Sequence, residues 1–378
     1  MSFKTVFKKF EEEELNDCLK QYETITNADV LNALRNPKPT IYDFIALTSD
    51  QAVLQLEEIA QKSKKITSER FGKIIQLYAP LYFSSECSNN CSYCSFSMDN
   101  NIVRKTLTID ELRKEGKFLK NLGFSHILLV SGEDRRTITT DYIAECIHSL
   151  KDIFSSISIE IAPQDVDEYK IFAEAGCEGV TVYQETYNRQ EYKKHHIAGK
   201  KRIFDYRIDT PDRACQAGMR NVGIGALFGL AQWKVEALSL FTHLTYLQKT
   251  YWRTFFSLAF PRLRDHVSEY NPPPENELSD VKLVQLICAF RICFNDTGIV
   301  LSTRENPTFR DQVFPLGITR MSAGSSTEVG GYTGEISKNE PQFQIEDHRS
   351  VQEVFTSIQG QGYDPVWKDW EGIMHARS

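Results

Sequence analysis

Three cysteines, Cys87, Cys91 and Cys94 in the run CSNNCSYCSF, are the residues whose type and spacing most clearly imply chemistry. Thiolates bind soft metals, and a short polar loop can curl three of them onto one small object. A structural zinc site usually shows two Cys/His pairs, and nothing of matching spacing follows Cys94. A disulfide framework needs an oxidising compartment, which nothing else in the chain suggests. The spacing therefore points to a [4Fe-4S] cube in which three irons take a protein thiolate and the fourth stays open. The other cysteines, Cys18, Cys146, Cys177, Cys215, Cys288 and Cys293, are scattered and read as small core residues.

Other groups at the ends of apolar runs could act beside that loop. In Ser131-Gly132-Glu133-Asp134, glycine permits a close backbone approach, and an acidic side chain can accept from an ammonium group. Glu185 closes GVTVYQE, either as a site carboxylate or as a partner for nearby lysines, and Arg207 lies in DYRIDTPDR. Gly223-x-Gly225 has the wrong spacing to Gly229 for a dinucleotide fingerprint and reads as a strand whose glycines make room for a nucleoside. In GIVLSTRE, alternation sets Ser302 and Arg304 on one face and Thr303 and Glu305 on the other. An inward arginine needs an anion, either a substrate carboxylate or an internal partner such as Glu160. His195-His196 falls in a lysine-rich loop and reads as solvated. Arg262 and Arg264 are either a substrate-facing pair or a surface feature, and Glu11 to Glu14 form a solvated helix face.

These groups need a scaffold. The 378 residues, with 41% hydrophobic and 25% charged, suffice for a large soluble α/β domain. A net charge of -7 argues against broad nucleic-acid affinity. No run has the length of a signal peptide or a membrane span, so a cytoplasmic location with no membrane association is expected. Residues 1–72 read as helical, interrupted at Asn36-Pro-Lys-Pro39, and are expected to form an N-terminal cap. From 73 to 329, eight short apolar runs alternate with amphipathic stretches: IIQLYAPLYF, HILLVSGE, SISIEIAP, GVTVYQET, NVGIGALFGL, FFSLAFP, GIVLSTRE and RMSAGS. Such alternation predicts βαβ units closing into a (β/α)8 barrel, with the site on loops after the strands. Thr108-x-x-Glu111 predicts a helix start, and a helix is expected over Tyr206 to Ala217. Residues 330–378, with Trp367-x-x-Trp370, are expected to cover one barrel end.

The Cys-x3-Cys-x2-Cys spacing with Tyr93 before the last cysteine resembles the radical S-adenosylmethionine enzymes. Together with LLVSGE, VYQETY, RIDTPDR, FPRLR, LSTRE and PVWKDW, it resembles the ThiH family of tyrosine lyases of bacterial thiamine biosynthesis, over about Phe71 to Trp370. The resemblance implies a [4Fe-4S] cluster on Cys87, Cys91 and Cys94, with S-adenosylmethionine at Tyr93, Ser131, Gly132, Glu133, Glu185 and Arg207. Glu133 would meet its amino group, Glu185 the ribose and Arg207 its carboxylate. It further implies Cα–Cβ cleavage of L-tyrosine to dehydroglycine and p-cresol, begun at the substrate amine. Arg304 and Ser322 would clamp the substrate carboxylate, with Tyr82 and Ser302 beside them. Implied partners are thiazole synthase and a flavodoxin or ferredoxin reductant. A hydrogenase-maturation relative carries a second cysteine-bound cluster at its C-terminus, and here no cysteine follows Cys293. A tryptophan-cleaving relative, an iron-sulfur electron carrier and a non-catalytic scaffold for thiazole synthase stand as alternatives.

Overall fold

Each of the eight apolar runs becomes a strand in the computed structural model, which describes residues 2–265, 270–335 and 339–367. They are β1 (Ile74–Ser84), β2 (His126–Ser131), β3 (Ser156–Glu160), β4 (Gly179–Glu185), β5 (Asn221–Ala226), β6 (Phe255–Ala259), β7 (Gly298–Leu301) and β8 (Arg320–Ser322). Neighbours pair in parallel, and β8 pairs back onto β1 with Gln76 beside Arg320 and Tyr78 beside Ser322, so the sheet is a closed barrel. Alternation sends every second side chain inward. Tyr78, Tyr82, Ser158, Glu160 and Tyr183 thus border interior space where many barrels pack branched aliphatics.

The helices between strands form where the sequence caps them. Thr108 Oγ1 accepts from the Glu111 N–H (3.3 Å) while the Glu111 carboxylate accepts from the Thr108 N–H (2.7 Å), starting the helix Ile109–Asn121. The helix expected over Tyr206 to Ala217 is two pieces, Phe204–Ile208 and Thr210–Gln216, because Pro211 has no N–H to continue the first. The strand read from GIVLSTRE ends at Leu301, and Ser302 to Glu305 form a turn, so alternation does not carry through to Arg304.

The first helices, ending at Phe71, pack on the helices that surround the barrel. Ile41–Thr48 and Leu56–Phe71 lie against Asp280–Cys293, and Phe3–Lys9 lies against Trp233–Thr250. Phe44 wedges between Phe241 and Phe290 with ring centroids 4.9 and 4.7 Å away. Burying such rings is worth about 1.5–3 kcal/mol each.

The C-terminal segment crosses the mouth first. Gln344 N–H donates to the Asp265 carbonyl, and the Glu346 N–H donates to the Thr303 carbonyl, each at 2.9 Å. It is pinned where Asp347 pairs with the buried Arg310. The chain then returns through the helix Val351–Gly360 to β9 (Asp364–Val366), which pairs with Ile74–Gln76 at the other end of β1. Trp367 packs on Phe124 and Phe355, and Trp370 lies outside the described residues. No described helix is long and apolar enough to cross a membrane.

Candidate active site

The cysteine loop leaves the C-terminal end of β1 and is held from two sides. In front, the Gly132 N–H donates to the Ser84 carbonyl (2.9 Å). A Cβ on Gly132 would stand 2.2 Å from the Glu86 carbonyl oxygen and 3.2 Å from Cys87 Cβ. The glycine therefore admits the backbone of the cysteine loop itself, a closer demand than the ligand approach expected from sequence. Ser131 Oγ donates to the Gly132 carbonyl (2.8 Å).

Behind the loop, Asn90–Cys91 pairs antiparallel with His196–Ala198. His195 and His196, expected to be solvated, are both buried. The helix Arg189–His195, capped by Asn188, turns them inward at its end. His196 Nδ1 lies 2.7 Å from the Tyr192 carbonyl, which can only accept, so Nδ1 carries the proton and Nε2 accepts from the Tyr93 hydroxyl at 2.7 Å. Burial, reinforced by Lys201, keeps His196 neutral by pushing its pKa well below the ordinary imidazole value. The Ser92 hydroxyl meets His195 Nδ1 at 2.7 Å. Tyr93 is thus fixed through its hydroxyl on His196 and does not line the cavity that the three cysteines border.

The three thiols border a cavity shared with Glu133, Glu185, Lys201 and Arg207. Arg207 donates to Glu133 (3.0 Å), to Glu185 (3.3 Å) and to the Tyr183 carbonyl (2.8 Å). Lys201 donates to Glu185 at 2.7 Å, and Asn89 donates to Glu133 at 2.9 Å. Burial works to raise the Glu133 carboxyl, and Arg207 and Lys201 outweigh it, holding the group below its usual value. Glu185 is the one non-glycine residue with positive φ among the described residues (70°), at a register shift between β4 and β5. Backbone strain of this kind, of order 1–3 kcal/mol, persists where surrounding contacts over-determine it, and here two cations hold the carboxylate.

A second cavity lies further along the barrel interior. Arg304 reaches it from the turn after β7, its guanidinium carbon 3.3 Å from the centroid of Phe343. Its Nη1 donates to the Arg262 carbonyl at 3.4 Å, and no Arg304–Glu160 salt bridge forms. Ser322 Oγ accepts from the Thr303 N–H (3.0 Å), and Ser302 Oγ accepts from the Arg304 N–H (3.4 Å), so the two serines shape the turn that carries the guanidinium. Phe260, Leu283 and Ile287 make an apolar wall. Arg262 and Arg264 both turn to Glu305, forming an ion cluster on the rim. Gly225 makes room for protein: a Cβ there would stand 2.4 Å from the Ala259 carbonyl oxygen and 2.8 Å from the Tyr183 ring.

The donor set fits an iron-sulfur cube. Burial pushes all three thiols up, Cys94 to about 11, so a bound metal would have to displace three protons. Among the described residues no three His, Cys, Asp or Glu side chains gather to hold a single metal ion. The thiols instead ring a space, and no fourth cysteine borders it.

Comparison with known proteins agrees. The model of the radical SAM superfamily matches residues 81–238, and that of the Biotin and Thiamin Synthesis associated domain matches 259–364. The 2-iminoacetate synthase of Escherichia coli K12 is 41% identical over 350 residues, covering 92% of both chains. The enzyme of that name from Salmonella typhimurium is 40% identical over 369 residues, covering 97% of both. The chain belongs to the 2-iminoacetate synthase family. The crystal structure of HydG, a maturase of the [FeFe]-hydrogenase, superposes with a TM-score of 0.91 at 32% identity, covering 96% of this chain and 81% of that one. As a radical SAM lyase, this 2-iminoacetate synthase family member uses a [4Fe-4S] cluster and S-adenosylmethionine.

Several residues of the site carried no sequence signal. Lys201 sits in the run GKKR and Gln342 in a polar stretch, and neither has a diagnostic neighbour. His195 and His196 could have been found from the need to back a cysteine loop with a second chain segment.

Proposed function

We propose that this enzyme cleaves the Cα–Cβ bond of L-tyrosine, giving 2-iminoacetate (dehydroglycine) and p-cresol for assembly of the thiazole ring of thiamine. The observation that carries the reading is Arg304, a guanidinium in a largely apolar cavity that shares Val130, Glu160 and Tyr183 with the cavity of the three cysteines. An aromatic amino acid satisfies both ends: its carboxylate forms a charge-assisted pair with Arg304, and its ring lies on Phe260, Leu283 and Ile287.

When bound, the cluster and S-adenosylmethionine would supply the one-electron chemistry that starts the reaction at the substrate amine. The chain's own work is placement. Cys87, Cys91 and Cys94 hold the cluster. Glu133 would accept from the amino group of S-adenosylmethionine, Arg207 would donate to its carboxylate, and Glu185 would accept from the ribose, with Tyr93 nearby. Arg304, seated on Phe343 and shaped by Ser302 and Ser322, fixes the tyrosine carboxylate, and Tyr82 closes that end. Positioning of this kind selects one N–H over weaker C–H bonds nearby. In this reading residues 1–72 are an N-terminal helical cap, 73–329 the catalytic barrel and 330–378 a C-terminal segment covering it. Thiazole synthase as acceptor and a flavodoxin or ferredoxin as reductant complete the scheme.

Anaerobic reconstitution followed by incubation with S-adenosylmethionine, reductant and either tyrosine or tryptophan tests this. Formation of p-cresol from tyrosine is the expected result. Formation of 5'-deoxyadenosine with tyrosine but no p-cresol sinks the assignment.

A further inference from the structure

Glu160 ends β3 at the junction of the two cavities and borders both. Among the described residues it forms no salt bridge, unlike Glu133, Glu185 and Glu305, each of which holds an arginine. A carboxylate inside a barrel without a partner is costly, and such groups cluster where a ligand supplies the missing charge. Resting on the tyrosine reading above, we propose that Glu160 binds the substrate's α-ammonium and takes one proton from it, leaving the neutral amine from which hydrogen is abstracted.

The placement follows from charge. The cavity presents Arg304 as its cation and two carboxylates, of which Glu305 is held by Arg262 and Arg264 while Glu160 also borders the cavity of the cysteines, so a zwitterion orients with its nitrogen toward the cofactor side. The step balances: one N–H bond of the ammonium breaks with its electron pair staying on nitrogen, and the proton forms an O–H bond on Glu160. No electron moves, and the hydrogen atom leaves later from the neutral N–H. Burial, and then the negative charge of Glu185, push Glu160 up to about 7, which makes it a stronger base than an ordinary carboxylate. The groups that act on it are Glu185 from β4, Arg304 from the turn after β7, Lys201 and Arg207 from the segment after β4, and the phenols Tyr78 and Tyr82 of β1 and Tyr183 of β4.

Glu160→Gln keeps the shape and removes the base. On the reconstituted holoenzyme, kcat/KM for p-cresol is expected to fall at least about 100-fold, and the rise of kcat/KM through roughly pH 7 to disappear. Equilibrium binding of tyrosine should weaken at least about tenfold, whereas its desamino analogue 3-(4-hydroxyphenyl)propanoate should bind both proteins alike. Glu160→Asp should restore the pH-dependent rise. Unchanged tyrosine affinity, equal loss for the desamino analogue, a pH-dependent rise that persists in Glu160→Gln, or a Glu160→Asp profile as flat as that of Glu160→Gln would each overturn the role. If the native holoenzyme makes no p-cresol, the tyrosine reading fails instead, and the two failures are told apart by that control.

Discussion

The Tyr82 hydroxyl donates to Gln342 Oε1 at 2.8 Å, and the same carboxamide's nitrogen stands 3.9 Å from Cys94 Sγ. One side chain of the C-terminal segment therefore touches both the substrate cavity and the cluster's thiol. Hydrogen bonds to ligating sulfur raise a cluster's potential, because they stabilise the more negative reduced form. Gln342→Leu is expected to lower the cluster's reduction potential, read by redox titration under electron paramagnetic resonance. Tyr82→Phe, which removes only the hydroxyl, should leave the potential alone and weaken tyrosine binding by about 0.5–1.5 kcal/mol. An unchanged potential in Gln342→Leu would show that the contact is too weak to matter.

Arg304 tests the substrate cavity. Arg304→Ala should raise the dissociation constant for tyrosine by about 2–5 kcal/mol, while iron content and S-adenosylmethionine binding stay near the native level. Equal damage to cluster loading and tyrosine binding would contradict its placement.

Gly132→Ala puts a methyl against the Glu86 carbonyl, a backbone atom that cannot swing aside. The cysteine loop must shift, at a cost of about 1–3 kcal/mol, and cluster occupancy after reconstitution should drop. Iron and sulfide analysis beside a thermal melt reads both effects.

Asp347 and Arg310 are a fully buried ion pair, with Arg349 donating to the same carboxylate. Burial works to raise Asp347, and Arg349 and Arg310 outweigh it, so the folded pKa is depressed. Its stabilisation is therefore present above the ordinary aspartate value and lost as pH falls through the folded value, below about 4. Asp347→Ala leaves Arg310 buried without its anion and should cost about 3–5 kcal/mol in a denaturant titration at neutral pH.

His243 gives the opposite flank a different pH response. It stacks on Phe3 with centroids 3.6 Å apart, and its Nδ1 meets the Tyr187 hydroxyl at 2.8 Å. Burial holds it well below the ordinary imidazole value, so the unfolded chain binds the proton first. Stability must then fall as pH drops below about 6.5, by up to about 1.4 kcal/mol per pH unit from this one group. Thermal melts between pH 7.5 and 5.5 should show that slope, and His243→Gln should reduce it.

The barrel was legible because every strand is an apolar run bounded by a helix signal, and because Thr108 and Glu111 announce their helix by chemistry at fixed spacing. The cysteine motif was legible for the same reason. What escaped was set by tertiary placement. Arg304 was singled out on the premise of a strand that stops at Leu301, and it reaches the cavity from a turn instead. His195 and His196 looked exposed among lysines because a periodic reading does not show a neighbouring loop 103 residues away. Lys201 and Gln342 come from segments with no pattern of their own, and Gly225 serves the ring of Tyr183, a packing fact invisible in one dimension.

The C-terminal segment grips β1 twice, through Gln342 near one end and through Asp364–Val366 beside Ile74–Gln76 at the other. Synthesis runs from the first residue to the last, so the staves of the barrel leave the ribosome well before the clasp that fastens them. Until that clasp is made, the cavity of the three thiols lacks Gln342 from its lining.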